Sequence, residues 1–497
     1  MKIVIVGGGS AGWLTAAMWI KETIGHDITV IESSKIPIIG AGEGSTGSLP
    51  WFIRDKWPDN IVNELDFLRK TKATLKLGIH LKNWKGDGSS YYSPFHGTPT
   101  DKHPIDTVFF GSILKYGRSD YSSLHSWMLD DGLSTFRKQN GRITNALQNH
   151  SYHFDGHEIG KYFKDICTKR GVKVIDTEVS DLTFDESEYL KSVKLSNGEL
   201  LEADMWFDCT GFARVLMSKT KNKWISYTDE LPVNAAIPFS TNISSKTVRF
   251  ETLSETMNAG WMWKIPLQQR YGMGYVYCDK FQSYEESVLE IEEKLGHKIE
   301  PIKHIKFEAG RYEDTWYKNI AAVGLSSHFL EPLQATSIHI ALMTASVIVY
   351  HCAKDVNSIH SQSNRNAFNK LCENMIVDYK DFIRMHYLAG REDTPFWKFM
   401  KNEAHLSDKN KNYIDISKVR TLGVFDFEST HGVPGYPLWC HILNEAGLYN
   451  PDIIKNEMQS FGKLKECESE LKKMLDYYNK IKKELVPNDE MFKYLKL

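Results

Sequence analysis

The chain of 497 residues is long enough to bury a large core in one or two domains. Its 41% hydrophobic and 25% charged residues are the proportions of an ordinary enzyme, and a formal charge of -2 leaves no basic surplus for a nucleic-acid partner. Seven cysteines with no CxxC pair predict reduced thiols, a cytoplasmic setting and no metal site, and no apolar run reaches the roughly 18 residues that a membrane span needs.

At the N-terminus Lys2–Val6 is a short β-branched run, the pattern of a buried parallel strand. Gly7 interrupts it at once, so it does not read as a signal peptide. Gly7-Gly8-Gly9-Ser10-Ala11-Gly12 is a glycine fingerprint: Gly7 for a tight turn, Gly9 for close approach of a pyrophosphate, Gly12 for helix packing. A helix over Trp13 to about Thr23 presents its N-terminus, with Ser10 and Ala11, to phosphates. Asp27–Ile31 is the second strand, and Glu32 ends it, placed to bind a ribose 2′-hydroxyl and to repel a 2′-phosphate.

Further on, Ala73-Thr74-Leu75-Lys76-Leu77-Gly78-Ile79 alternates, so Lys76 faces solvent or a pocket. His80 to Asp131 reads as loop-rich, with Tyr91, Tyr92, Phe95, His96, His103, Phe109 and Phe110 packing a surface or capping a substrate. The two histidines lack further ligands for a metal. Tyr152-His153-Phe154-Asp155, a helix to about Arg170 and Val172–Ile175 follow. Asp204-Met205-Trp206-Phe207-Asp208-Cys209-Thr210-Gly211-Phe212 reads as a buried strand and turn, with Cys209 a packing residue.

In Trp261-Met262-Trp263-Lys264-Ile265-Pro266 the two tryptophans share one face of a strand. Asn319–Leu325, with Gly324, leads through His328-Phe329-Leu330-Glu331-Pro332-Leu333-Gln334-Ala335-Thr336-Ser337 into an apolar helix over Ile338 to about Tyr350. The helix N-terminus near Thr336 favours an anion, or Thr336 caps its own helix. His386-Tyr387 and Arg391–Trp397 read as structural. In Arg420–Pro451, Phe425, Tyr436, Pro437 and Trp439 are candidates to close a substrate pocket. At the C-terminus, Phe461, Leu464, Cys467, Leu471, Met474, Tyr478, Ile481 and Leu485 recur at helical spacing. That face packs on the enzyme body or forms a homo-oligomer contact.

Together these segments resemble the flavin-dependent halogenases, the family that includes the tryptophan halogenases, from residue 1 to about 400. The resemblance implies an α/β chain on the flavin-monooxygenase (GR2-like) FAD-binding fold with an interleaved, mostly helical substrate module. The FAD module would comprise 1–90, 150–225 and 300–350, and the substrate module 91–149, 226–299 and 351–497. FAD would be held by Gly7, Gly9, Ser10, Ala11, Gly12, Glu32, Gly324 and Leu325, and by the strap containing Gly40, Gly42 and Glu43.

The resemblance also implies that Trp261, Trp263, Ile265 and Pro266 form the box beside the flavin, and that backbone N–H groups of Thr336 and Ser337 hold a chloride, bromide or iodide. Lys76 takes the position of the catalytic lysine. FADH2 from a separate reductase would react with dioxygen to a C4a-hydroperoxide, giving hypohalous acid that Lys76 directs to a small aromatic substrate. Gln334 stands where the family places a catalytic glutamate. An amide cannot take the ring proton as a carboxylate does, and Glu331, three residues earlier, is the weak candidate to replace it. The rival readings are an FAD-dependent aromatic monooxygenase and a flavoprotein without halogenase activity.

Overall fold

The computed structural model describes residues 1–36, 42–55, 57–95, 106–145, 147, 149–352, 354–427 and 434–496. The chain forms two compact units, Met1–Ala73, Phe154–Thr228 and Phe307–Val377 in the first, Thr74–His153, Asp229–Lys306 and Asp378–Leu497 in the second.

The first unit is built on a six-stranded sheet in the order Lys173–Asp176, Asp27–Glu32, Lys2–Val6, Met205–Asp208, Ile320–Ala322, Trp316–Tyr317. All neighbours run parallel except the last pair. The inner strands are apolar because helices such as Ser10–Glu22 and Gly156–Lys169 cover the sheet, and Val4, Val6, Ile31, Trp206 and Ile320 share one core cluster. Helix Thr336–Cys352 packs against helix Ser10–Glu22. The segment Leu333–Cys352 is long and apolar enough to cross a membrane by length and composition, which the sequence reading did not anticipate. Its apolar window is 67% buried inside the protein, as for a core helix.

The second unit contains more helix than strand, yet it is organised around a seven-stranded sheet that the expectation of a mostly helical module did not include. Its order is Ile305–Lys306, Ala235–Asn242, Arg270–Tyr277, Gly260–Pro266, Glu251–Thr256, Gly78–Lys82, Ser90–Pro94. This sheet moves the module boundaries. Gly78–Lys82 pairs in parallel with Glu251–Thr256, so residues 74–90 belong to the second unit and not the first. Residues 351–377 belong to the first unit, not the second.

The stretch read as loop-rich also carries helices Thr107–Tyr116 and Leu124–Asp131. Asp106 caps the former by accepting from the Val108 and Phe109 amides at 3.1 and 2.9 Å. The C-terminal periodicity becomes helix Leu464–Ile481, with Cys467, Leu471, Tyr478 and Ile481 buried. That helix packs on the body of its own unit, but Phe461 lies outside it and is exposed, and Leu485 belongs to a strand. Trp439 is likewise a core residue, packed between Phe382 and Tyr413, while Phe425 is exposed. The Arg391–Trp397 segment is structural: the Trp397 indole N–H donates to the Met257 carbonyl at 2.7 Å.

Helices Thr107–Tyr116 and Leu464–Ile481 meet at Gly111, where a Cβ would lie 2.4 Å from the Cys467 carbonyl oxygen. We predict that Gly111→Val forces them apart at a cost of about 1–3 kcal/mol. Denaturation and hydrogen exchange over 464–481 report this, and unchanged protection there would contradict the packing.

Candidate active site

In the first unit the glycine turn is dictated by contact. Gly7 has φ +113°, and a Cβ there would sit 2.3 Å from the Cys209 carbonyl oxygen. A Cβ on Gly12 would lie 1.8 Å from the Gly7 carbonyl oxygen. At Gly9, by contrast, a Cβ would meet nothing within 4 Å. That open approach lies at the start of helix Ser10–Glu22, which has no side-chain cap and no acidic residue in its first turn. Free N–H groups and the positive end of the helix dipole therefore suit a pyrophosphate. The residues present fit a dinucleotide of the FAD type.

Glu32 ends its strand as expected, and its carboxylate is already engaged. One oxygen accepts from the Trp13 indole N–H at 3.1 Å, and the other is ion-paired with Lys164. Each oxygen keeps lone pairs for a ribose hydroxyl. Lys164 offsets the repulsion of a 2′-phosphate that the lone glutamate implied. Gly40 lies outside the described residues, as do His96 and His103. Gly42 has φ +80°, and half-buried Glu43 packs beside Gly156. Burial and neighbouring Asp155 push its carboxyl up to about 7.

Gly324 has φ +71°, and a Cβ there would come within 3.0 Å of Ala11, so it fits against the first turn of the N-terminal helix; Leu325 beside it is half-buried. Glu331 and Gln334 are both buried in the turn before helix Thr336–Cys352. Gln334 (φ 69°) and Ala335 (φ 54°) are consecutive non-glycine residues in the left-handed region, which costs backbone energy. A left-handed residue followed by right-handed Thr336 (φ −76°, ψ −27°) turns successive N–H groups toward one point, a nest for an anion. Among the described residues the buried Thr336 hydroxyl has no hydrogen-bond partner, so it does not cap its own helix. Ser337 follows in the first turn.

In the second unit Lys76 is fully buried, on strand Thr74–Lys76, which pairs with Ser151–His153. The solvent-facing alternative is thereby excluded. Burial pulls its amine down to about 7, and the Phe95 ring lies 4.8 Å from Nζ. His153 lies nearby, held below its ordinary range by burial and by Lys76. Its Nδ1 is 3.1 Å from the Leu75 carbonyl and its Nε2 is 2.8 Å from the Thr252 hydroxyl. The buried His153–Thr252 pair near the lysine was missed, because only strand pairing brings residues so far apart in sequence together.

The Thr74 hydroxyl donates to the Pro266 carbonyl at 2.6 Å, which ties the lysine strand to the tryptophan box. Trp261 and Trp263 are buried with ring centroids 6.4 Å apart, and Ile265 and Pro266 are buried beyond them. The Trp263 ring lies across Gly274, where a Cβ would come within 2.1 Å of it. Asp208 in the first unit is structural: it accepts from the Thr210, Leu216 and Met217 amides and the Thr210 hydroxyl. Cys209 is buried and its thiol is pushed up by burial, as a packing residue should be. Among the described residues no group of His, Cys, Asp and Glu side chains would hold a metal.

A family model described as tryptophan halogenase matches residues 2–448. Among curated relatives, the 7-chloro-L-tryptophan 6-halogenase KtzR of Kutzneria sp. (strain 744) is 28% identical over 486 residues, covering 90% of this chain and 91% of the relative. The tryptophan 7-halogenase RebH of Lentzea aerocolonigenes is 29% identical, covering 84% and 81%. Among solved structures, Tar14, a tryptophan C-6 flavin-dependent halogenase (chlorinase) from taromycin biosynthesis, superposes with a TM-score of 0.85 at 28% identity, covering 100% of both chains.

Two predictions follow from the geometry. Gly9→Val should fold normally, since an added Cβ meets no atom of the described residues within 4 Å, yet lose FAD binding in a spectral titration; equal affinity would refute the assignment. Lys76→Met should raise stability. The folded-state amine, at about 7, lies below its ordinary value of 10.5, so between these pH values the unfolded chain holds a proton that the folded chain lacks. The variant's gain should therefore be largest at pH 7 and below and shrink toward pH 10. A gain independent of pH would show that burial of the amine is not its source.

Proposed function

Because the chain belongs to the tryptophan halogenase family, we propose that this enzyme uses FADH2, dioxygen and halide to halogenate an electron-rich aromatic small molecule. Reduced FAD, delivered by a separate flavin reductase, supplies with dioxygen the two-electron oxidation of halide to hypohalous acid. Everything else falls to the protein. The turn at Gln334–Ser337 would hold the halide through the Thr336 and Ser337 N–H groups, assisted by the unpartnered Thr336 hydroxyl.

The observation that carries the proposal is the buried Lys76 amine. Near neutral pH it is shared between ammonium and amine. As ammonium it would donate to the oxygen of hypohalous acid and polarise the O–X bond. As amine it would take the halogen with release of water, and pass it to the ring as the N–X bond breaks. Its aromatic neighbour Phe95 excludes water from the transfer.

The relatives named above are halogenases of tryptophan or 7-chloro-L-tryptophan, and on the reading that Gln334 takes the place of a catalytic glutamate this chain would differ at the proton-accepting step. Gln334 lacks a carboxylate to remove the ring proton, so rings that lose it readily are favoured. Phenols and electron-rich heteroaromatics should be better substrates than free tryptophan. Bromide and iodide, more easily oxidised and less tightly hydrated, should be better than chloride.

Lys76→Met should abolish halogenation while FADH2 oxidation and peroxide release continue, because those steps belong to the flavin and not to the lysine. Halogenation at a near wild-type rate would remove the lysine from the mechanism. In competition at equal halide concentrations, wild-type enzyme should give brominated or iodinated product first, and Gln334→Glu should widen the range to less activated rings. Efficient chlorination of free tryptophan by the wild type, or unchanged selectivity in the variant, would defeat the role given to residue 334.

A further inference from the structure

Within the second unit, a cluster around His441 has no place in the chemistry above. Glu445 is fully buried, and its carboxylate is surrounded by donors: the Ser119 amide at 3.0 Å, the Ser119 hydroxyl at 2.9 Å and the Asn444 amide at 3.0 Å on one oxygen, Lys85 at 3.3 Å on the other. Although burial opposes it, Lys85, the Ser119 amide and the Asn444 side-chain amide hold this carboxyl below its ordinary range, so it is ionised and only accepts. The single Ser119 hydroxyl proton therefore goes to Glu445. The Ser119 oxygen, 2.7 Å from His441 Nδ1, must then accept from it.

His441 is held below its ordinary range by burial, with Arg118 and Lys85 acting in the same sense and Glu445 and Asp120 against it. A neutral imidazole with its proton on Nδ1 presents a bare lone pair on Nε2. That Nε2 is buried and has no hydrogen-bond partner among the described residues. Tyr91, whose ring centroid is 6.0 Å from that of His441, also has a buried hydroxyl without a partner. Leaving both unmet would cost about 1–3 kcal/mol each, so a bound group is expected there.

Strand alternation places Tyr91, Ser93 and Phe95 on one face. The ladder continues to Phe95, whose amide donates to the Leu77 carbonyl at 3.0 Å, and Phe95 meets the Lys76 amine. Four residues of strand separate Tyr91 from Phe95 by ~13 Å.

We propose that His441 Nε2 accepts a hydrogen bond from a neutral N–H or O–H group of the aromatic substrate, whose ring lies along this face toward Lys76. The inference rests on the halogenase reading for the identity of the ligand, and it makes His441 a specificity-determining residue. Ser119 and Glu445 are positioning residues that fix its tautomer. A ligand methylated at that donor leaves the lone pair unmet and is rejected.

The test is binding of single-donor bicyclic probes, indole and 2-naphthol, against 1-methylindole and 2-methoxynaphthalene. Methylation should weaken binding to the wild type at least about tenfold in one pair or both. In His441→Phe the difference should fall below about twofold, with the methylated probes bound as before. Equal affinity within both pairs in the wild type, failure of all four to bind, or discrimination kept by the variant would overturn the proposal and leave water as the partner of His441. Should the variant not fold, histidine-15N spectra of the wild type decide. One unprotonated imidazole nitrogen must shift with the donor probe and not with its methylated counterpart, and no such shift overturns the proposal. Turnover with bromide separates the two readings: discrimination in binding without any halogenated product contradicts the proposed reaction alone, and halogenation without discrimination contradicts only the role of His441.

Discussion

A primary amine with no solvent exposure is the constraint on which the second unit depends. Burying Lys76 costs several kcal/mol if the amine is charged, and the amine answers by falling to about 7. Such a group persists only where its surroundings are fixed. The lysine strand pairs with Ser151–His153, Thr74 is bonded to the Pro266 carbonyl, and the Leu77 amide donates to the Phe250 carbonyl at 2.8 Å. The lysine strand is thereby tied to the sheet that carries Trp261 and Trp263. A residue that lowers stability at neutral pH and is nevertheless held in place by a strand pairing and two further hydrogen bonds is what the proposed role of Lys76 requires, stability given up for reactivity.

On the proposed reading, the first unit faces a different electrostatic problem, the binding of negative groups chiefly through the backbone. It offers backbone N–H groups at two helix N-termini, one after the glycine turn and one after Gln334–Ala335. At the first, Gly7 and Gly12 let the turn and the helix pack where a Cβ would strike backbone, and Gly9 leaves the approach open. At the second there is no glycine, and two residues in the left-handed region supply the curvature at an energetic cost. A small ion needs only a tight nest; a pyrophosphate needs width.

Much of this was legible in the sequence wherever the signal is local. The strand, glycine turn and helix at the N-terminus, the acidic strand end at Glu32 and the helix beginning at Thr336 all depend on residues within a few positions of one another. The Lys164 partner of Glu32, the approach of His153 to Lys76, and the Ser119–His441–Glu445 cluster depend on pairs separated by more than 70 residues, and no local pattern encodes them. The seven-stranded sheet was missed for the same reason. Its strands come from two distant stretches, and the parallel pairing of Gly78–Lys82 with Glu251–Thr256 carries no local mark. Alternation around Lys76 alone favoured a solvent-facing lysine and only the family resemblance favoured a pocket; burial along the whole strand excludes solvent.

The central claim is that oxidising equivalents reach the substrate as halogen and not as oxygen. Product analysis by mass spectrometry tests it most directly, using wild-type enzyme, a flavin reductase, dioxygen and a panel of phenols and indoles, with and without bromide. The account predicts products carrying the bromine isotope pattern that vanish when halide is withheld. Oxygenated products formed equally well without halide would contradict it.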